Sequence, residues 1–370
     1  MQHPKTKNNT VPKDAPLTTD QILALEKMHS FGDKTEAEKA KREIIISGYG
    51  TRQPSIDISK NNSAWSLNLP EGFTWGRIAS GGTVAKKGKV TGITDKLTSH
   101  NIPKNTPLTY RPAILGKDQP LTMRRKNGRL MRLDGIIFNS DDRQVFDPRD
   151  DYPWCCVGKI LVWKNPDSFF WDPPSGTATA TLVGPNMVVT SAHVVPNQEK
   201  WKGIFLPGFF DGRTSLNLFS YVETWRRYEP YDTGSDLAIL KLYEPIGNQL
   251  GWFGTRVYHD KWEDLPVWTK IGYASMIANG NRPNFIGPFP IIDDDDSYGV
   301  ELEYRADASG GDSGGPVQAA WSDGPYIVGV HSGGEEEFEI NWSRIFTVLN
   351  NVAAGGPALP DLVKWGLANW

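Results

Sequence analysis

Gly311-Asp312-Ser313-Gly314-Gly315-Pro316 sets one serine at the centre of a glycine-rich turn. Catalysis by a serine needs an exposed hydroxyl. It also needs backbone N–H groups aimed at the oxygen that turns negative in the transition state. Glycines let the backbone fold tightly enough to supply both. Two upstream stretches offer what else a serine nucleophile requires. Thr190-Ser191-Ala192-His193 brings a base, and Gly234-Ser235-Asp236-Leu237-Ala238-Ile239-Leu240 brings a carboxylate to orient it.

Gly311 to Gly315 also fits G-x-S-x-G, the strand-to-helix elbow of α/β-hydrolases, in which the carboxylate and then the histidine follow the serine. The one histidine after Ser313 is His331, 18 residues on, closer than that order allows. An elbow serine should also open a helix, whereas Pro316-Val317-Gln318-Ala319-Ala320-Trp321 reads as an apolar strand. His193, Asp236, Ser313 is instead the chymotrypsin order.

Six segments carry a wider likeness: Asn139 to Arg143, Leu182 to Asn186, Val189 to Val195, Ser235 to Leu240, Gly310 to Pro316 and Gly329-Val330-His331-Ser332-Gly333-Gly334. In that order, over about Ile136 to Trp370, the chain resembles a chymotrypsin-fold (trypsin-like) serine protease, and most closely the glutamyl endopeptidase branch. Pro245 to Asn248 and Gly251 to Gly254 add weaker support. The resemblance implies a mostly β fold: two six-stranded antiparallel β-barrels with the site between them and a C-terminal helix. His193 would take the Ser313 proton and pass it to the leaving amine. Asp236 would hold the imidazole in the right tautomer. The N–H groups of Gly311 and Ser313 would form the oxyanion hole.

Local patterns agree with an all-β reading. Short apolar runs separated by Gly and Pro turns predict strands at Ile160–Trp163, Ala178–Val183, Met187–Thr190, Leu237–Leu242, Val267–Ile271, Val300–Tyr304, Val317–Trp321, Tyr326–Val330 and Arg344–Val348. Pro360-Asp361 can start a terminal helix running to Leu367.

Composition narrows the class. Apolar residues make up 38% of the chain and charged ones 22%, which suits a soluble globular protein. No apolar run approaches the ~18 residues of a membrane-spanning helix. Residues 1–30 lack the apolar centre of a signal peptide, so the expected secreted enzyme would have lost its signal from this chain; the alternative is an intracellular one. The only cysteines, Cys155 and Cys156, are adjacent and would face opposite ways in a strand, as two buried, unreactive thiols. Asn8, Asn61 and Asn341 head glycosylation sequons that matter only in a secretory pathway. No phosphate loop, nucleotide motif or zinc spacing appears, and no cofactor is expected. Asp293-Asp294-Asp295-Asp296 resembles a calcium loop in charge alone, so no metal is assigned.

The net charge of −3 conceals two opposed halves: residues 1–135 carry +11 and residues 136–370 carry −14. Fields of that size favour docking of the basic half on the acidic one. The first half is expected to hold short helices (Gln21–Ser30, capped by Thr19-Asp20, and Lys34–Arg42) and then short strands. Its basic run, Arg124 to Arg132, reads as a processing segment or a solvated linker. Residues 1–135 are therefore a pro-region or an accessory domain, and residues 136–370 the protease domain. If 1–135 is removed, the resemblance implies a new amine near Ile136 or Ile137. That amine would read an acidic substrate or pair with Asp312. The basic half lacks a basic–aromatic pattern for nucleic acid.

Partners are protein or peptide substrates, with neither nucleic acid nor membrane. By resemblance His331 binds an acidic side chain, and Ser332-Gly333-Gly334 pairs with the substrate backbone. Ala308 stands where the branch usually keeps a hydroxyl. Asp307 stands where trypsin-like enzymes keep the carboxylate that binds Lys or Arg. Glu335-Glu336-Glu337 follows the pocket wall and would repel an acidic substrate nearby. Basic specificity, an esterase, and an inactive protease-like binding module stay open as alternatives.

Overall fold

The computed structural model describes residues 14–29, 55–58, 65–68, 77–89, 97–104, 108–117, 135–138, 140–148, 151–168, 172–294, 297–341 and 344–370. The helix expected over Lys34–Arg42, the basic run Arg124 to Arg132, His3, Asn8, Asn61, Asn139, Asp295 and Asp296 lie outside the described residues.

Six antiparallel strands close into the first barrel: Val157–Trp163, Gly176–Gly184, Met187–Thr190, Ala238–Leu242, Ser220–Tyr228 and Lys202–Pro207. Closure comes from Lys202–Pro207, which pairs with Val157–Trp163 on one side and Ser220–Tyr228 on the other. Ile160, Ala180, Leu182, Val188, Ile204, Val222 and Leu240 point inward and are fully or almost fully buried. The apolar runs had marked four of these strands. Lys202–Pro207 and Ser220–Tyr228 escaped the pattern because they carry charge. The structure accommodates it: Arg227 is buried and donates to the Val195 carbonyl at 2.8 Å, and Lys202 donates to the Ser168 carbonyl at 2.6 Å.

The second sheet is built from Trp268–Gly272, Asn284–Phe289, Ile291–Asp294, Val300–Tyr304, Pro316–Trp321, Gly324–Asn341, Arg344–Gly355, Gly254–Arg256 and Gln144–Phe146, with two strands from the first third of the chain. Its core gathers Trp262, Trp268 and Trp321, with ring centroids 5.5–6.1 Å apart. The Arg256 guanidinium lies 5.3 and 5.1 Å from the Trp262 and Trp321 rings, a cation held against aromatic faces. The expected two-barrel architecture is thus present. The C-terminal helix, Ala358–Asn369, starts two residues before the expected Pro360 and lays Trp365 under Arg226, 4.0 Å from ring centroid to guanidinium.

The described stretches 77–89, 97–104 and 108–117 run across both sheets. Thr83–Ala85 adds to Ser220–Tyr228 in parallel, Leu97–Thr98 pairs with Gly254–Arg256, and Ile114–Gly116 pairs with Gln144–Phe146. Single bridges tie Ala79 to Trp201, Asn101 to Trp252 and Leu108 to Tyr152. Ser55–Ile58 and Trp65–Asn68 form a hairpin of their own. Further upstream, Leu17 donates its N–H to the Ala320 carbonyl at 2.8 Å, and Trp321 donates its indole N–H to the Asp14 carbonyl at 2.9 Å. The first helix spans Thr19–His29, and its cap is Thr18 rather than the Thr19-Asp20 pair. Thr18 Oγ1 accepts the Gln21 N–H, while the Gln21 side chain accepts the Thr18 N–H at 2.8 Å. This reciprocal box satisfies two end amides at once, which one side chain cannot do.

Cys155 and Cys156 depart from the strand geometry expected of them. They sit in a 3-10 turn, Trp154–Cys156, ahead of the strand, where both thiols approach the Leu250 carbonyl at 3.6 and 3.3 Å. Both are free and buried, and burial pushes the Cys156 thiol well above its usual range.

Candidate active site

His193 lies in a 3-10 turn, Ala192–Val194, directly after Met187–Thr190. Asp236 follows a second 3-10 turn, Thr233–Ser235, which Asp232 caps by accepting the Ser235 amide at 3.0 Å. The two turns bring the side chains together. Asp236 Oδ2 lies 2.6 Å from His193 Nδ1, and Asp236 Oδ1 accepts the His193 backbone N–H at 2.9 Å. Ser332 Oγ also donates to Asp236 Oδ2 at 2.6 Å. The carboxylate is therefore buried (side chain 4% exposed) yet satisfied by three donors, while the imidazole remains 38% exposed. This arrangement fixes which ring nitrogen faces the carboxylate and leaves the other toward the cleft. His193, Gly311 and Ser313 all line one cleft of about 340 Å³, together with Lys164, Ala178 and Tyr231.

The turn around Ser313 requires glycine at two points. Gly311 has φ +100°, and a Cβ there would come within 2.4 Å of the Tyr273 carbonyl oxygen. Gly314 has φ +84°, and a Cβ there would meet Thr179 O at 2.0 Å. Among the described residues no acceptor engages the N–H of Gly311 or of Ser313.

Beneath the turn lies a buried cluster of charge. Asp312 Oδ2 accepts from Arg143 at 2.9 Å, from Lys270 at 3.1 Å and from the Ser309 N–H at 3.0 Å; its Oδ1 accepts from Asn284 at 2.8 Å. Arg143 also reaches Ser309 Oγ and grips Asp141 through two nitrogens, at 3.0 and 2.7 Å. Two cations thus face two carboxylates. Burial alone would raise the Asp312 pKa, but the charges of Lys270 and Arg143, helped by the Asn284 amide, hold it far below the usual carboxylate range. In the intact chain the partners of Asp312 are thus its own side chains and one backbone amide.

The remaining expected residues cluster beside the same turn. His331 is fully buried, with Nδ1 2.7 Å from Tyr304 Oη. Tyr304 is itself stacked on Phe289, with ring centroids 5.0 Å apart. The His331 carbonyl accepts from Ser191 Oγ and the Gly314 N–H, and its N–H donates to Gly315 O, so its backbone is sewn to the serine turn. Ala308 is buried and donates its N–H to Ile136 O at 3.0 Å. Ile136 is held as a peptide by the Asn351 carboxamide, its N–H to Oδ1 and its C=O to Nδ2, both at 2.8 Å. Asp307 turns to the chain instead: its oxygens accept the N–H groups of Phe138 and Asp142, both at 2.7 Å. Burial raises its pKa against those two bonds. Pairing with Pro316–Trp321 ends at Val330, so the Ser332–Gly334 edge has no described strand on that side.

Sequence reasoning assigned Ser332 a backbone role and did not anticipate its hydroxyl on Asp236. It quoted Arg143, Lys270, Thr179 and Tyr304 only as parts of longer stretches and gave them no role at the site. A lysine inside the apolar run Val267–Ile271 was the signal available for a buried ion pair.

A sequence model of the family described as Trypsin matches residues 168–354. Two curated proteins are similar. One is the "Extracellular metalloprotease" of Bacillus subtilis (strain 168), 25% identical over 230 residues, covering 58% of this chain and 68% of that protein. The other is the "Glutamyl endopeptidase" of Bacillus licheniformis, 26% identical over 209 residues, covering 54% of this chain and 61% of that protein. The first name speaks of a metal. Among the described residues here, no three or more His, Cys, Asp or Glu side chains gather where one could be held. Among solved structures, a Glu endopeptidase in complex with MPD aligns with TM-score 0.49 at 20% identity, covering 63% of this chain and all of that one. The protease Anisep from Arthrobacter nicotinovorans aligns with TM-score 0.45 at 15% identity, covering 61% of this chain and all of that one.

Proposed function

Since the chain belongs to the trypsin family and is a serine endopeptidase, we propose that His193, Asp236 and Ser313 carry its reaction and that it cuts after acidic residues. The carrying observation is the Asp236–His193 contact at 2.6 Å, which opens on the cleft that Ser313 also lines. Ser313 attacks the peptide carbonyl and His193 accepts its proton. The N–H groups of Gly311 and Ser313 receive the oxyanion, and His193 then protonates the leaving amine. Water repeats the sequence on the acyl-enzyme.

Acidic preference rests on His331, which Tyr304 braces at Nδ1; the ring is fully buried, so it donates to a substrate carboxylate only when the wall over it opens. The basic alternative needs a carboxylate facing the substrate, and Asp307 has both oxygens on backbone amides. His331→Val should abolish cleavage after Glu while Ser313 still takes a fluorophosphonate. Profiling both proteins on a peptide library reads this, and undiminished Glu cleavage by the variant overturns the assignment.

The same reading places the enzyme outside the cell, as the name of the Bacillus subtilis relative says of that protein. Among the described residues no helix is long and apolar enough to cross a membrane.

The described stretches between residues 77 and 117 belong, in this reading, to the working enzyme as straps on the acidic domain. Support comes from their strand pairs with both sheets and from the ion pairs Arg77–Glu244, Lys87–Asp232 and Lys117–Asp142. None of the cleft-lining residues comes from them. Nicking between residues 118 and 134 should therefore leave the two pieces together on size exclusion and apart on a denaturing gel, with activity retained. Loss of the smaller piece under native conditions would mark it instead as a removable pro-region.

A further inference from the structure

Thr179 sits in the first barrel, fully buried, yet two of its bonds reach the serine turn of the second. Its backbone N–H donates to Ser313 O at 2.8 Å, and its hydroxyl donates to Gly311 O at 2.8 Å. That hydroxyl in turn accepts the Tyr273 N–H at 2.9 Å, and Thr179 O accepts from Thr190 Oγ1 at 2.8 Å. One residue thus joins two strands of the first barrel, the end of Trp268–Gly272 and the turn that bears the nucleophile.

Each peptide plane of that turn is fixed through its carbonyl. Gly310 O accepts from the Ser275 N–H at 2.8 Å and from Ser275 Oγ at 2.9 Å. Gly311 O is held by Thr179 Oγ1, Asp312 O by the Gly315 N–H, and Ser313 O by the Thr179 N–H. A trans peptide sends its N–H opposite to its C=O. Anchoring the Gly310 and Asp312 carbonyls therefore aims the Gly311 and Ser313 N–H groups to the other side of the turn. The plane between these two is the one that Thr179 Oγ1 grips, and rotating it would carry both neighbouring N–H groups off target.

We propose that Thr179 is a positioning residue for the oxyanion hole: its hydroxyl, reaching across from the first barrel, holds the Gly311 peptide so that the two N–H groups converge. Ser275 supports the same geometry from the solvent side. The inference rests on the triad reading above. It goes beyond it in making the hole a property of how the two barrels meet, rather than of the turn alone.

Thr179→Val keeps the branched shape and the backbone bonds but removes the hydroxyl. kcat should fall about 10- to 100-fold, part of the roughly 10²–10³ lost with an oxyanion donor itself, and KM should stay within about twofold. Affinity for a peptide aldehyde, whose hemiacetal oxygen occupies the hole, should fall in step with kcat. Affinity for the corresponding product peptide should not change, and Thr179→Ser should restore both kcat and aldehyde binding. Ser275→Ala, on an exposed side chain, should show the same pattern at about 2- to 10-fold and does not disturb the core. Full turnover in Thr179→Val overturns the inference, as does a joint loss of aldehyde and product affinity, which marks a merely structural role. A wild-type chain that cleaves nothing and takes no fluorophosphonate at Ser313 overturns the triad reading itself, and this one with it. An active wild type with an unaffected Thr179→Val variant sinks this one alone.

Discussion

Ser313→Ala should lower kcat by about 10⁶ and leave peptide binding close to wild type. A single atom is removed, but in the proposed reaction it is the nucleophile, so His193 and Asp236 retain their contact with nothing to activate. The remaining rate, about 10³–10⁴ above water, comes from the oxyanion donors and from substrate placement. Asp236→Asn should cost about 10⁴, because an amide beside His193 Nδ1 favours the wrong tautomer. The double variant should be little worse than Ser313→Ala, since the three groups act as one unit. Initial rates on a fluorogenic peptide, with intact mass after fluorophosphonate treatment, would check all three. Retained turnover in Ser313→Ala would move the nucleophile elsewhere.

Arg143→Met should have the largest effect on stability. It removes one cation from a cluster in which Asp312 is fully buried and Arg143 nearly so, leaving Asp312 with Lys270 and amides. Breaking a buried pair from one side costs about 3–5 kcal/mol, because the abandoned charge has no water to turn to. Melting should drop by on the order of 10 °C for a chain of this size. The pH dependence has a definite sign. The folded-state pKa of Asp312 lies below its unfolded value of about 3.9. Its contribution is therefore complete above that value and fades as pH falls toward the folded pKa. In the variant the depression is smaller, so the gap between wild type and variant should narrow as pH drops below about 4. Urea midpoints at pH 7, 5 and 3 would show this, and a gap that widens in acid would place the stabilisation on another group.

Much of the candidate site was legible because it is local. The glycine turn, the Thr190–His193 stretch and the Ser235–Leu240 strand entry each hold their chemistry in a few consecutive residues. Strands of continuous apolar residues were legible for the same reason, and Met187–Thr190 and Val300–Tyr304 match their expected limits. What stayed hidden depends on partners far away in sequence. Lys202–Pro207 and Ser220–Tyr228 place Lys202 and Arg227 against distant carbonyls, which no local pattern records. Asp307 and Asp312 are equivalent as letters, yet one caps backbone amides and the other anchors an ion pair. The straps between residues 77 and 117 were read only as short strands, because their partners lie in the other half of the chain.

The first of those straps also bears on how the protein is made. Thr83–Ala85 leaves the ribosome 143 residues before the stretch that begins at Arg226, the strand it must join. At roughly 5–20 residues per second the wait is on the order of ten seconds. Over that interval it is an open edge with nothing to pair with, and its closure demands a contact of very long sequence separation, which slows folding. Its three-residue length, set among Lys86, Lys87 and Lys89, limits what an unpaired edge can recruit while it waits.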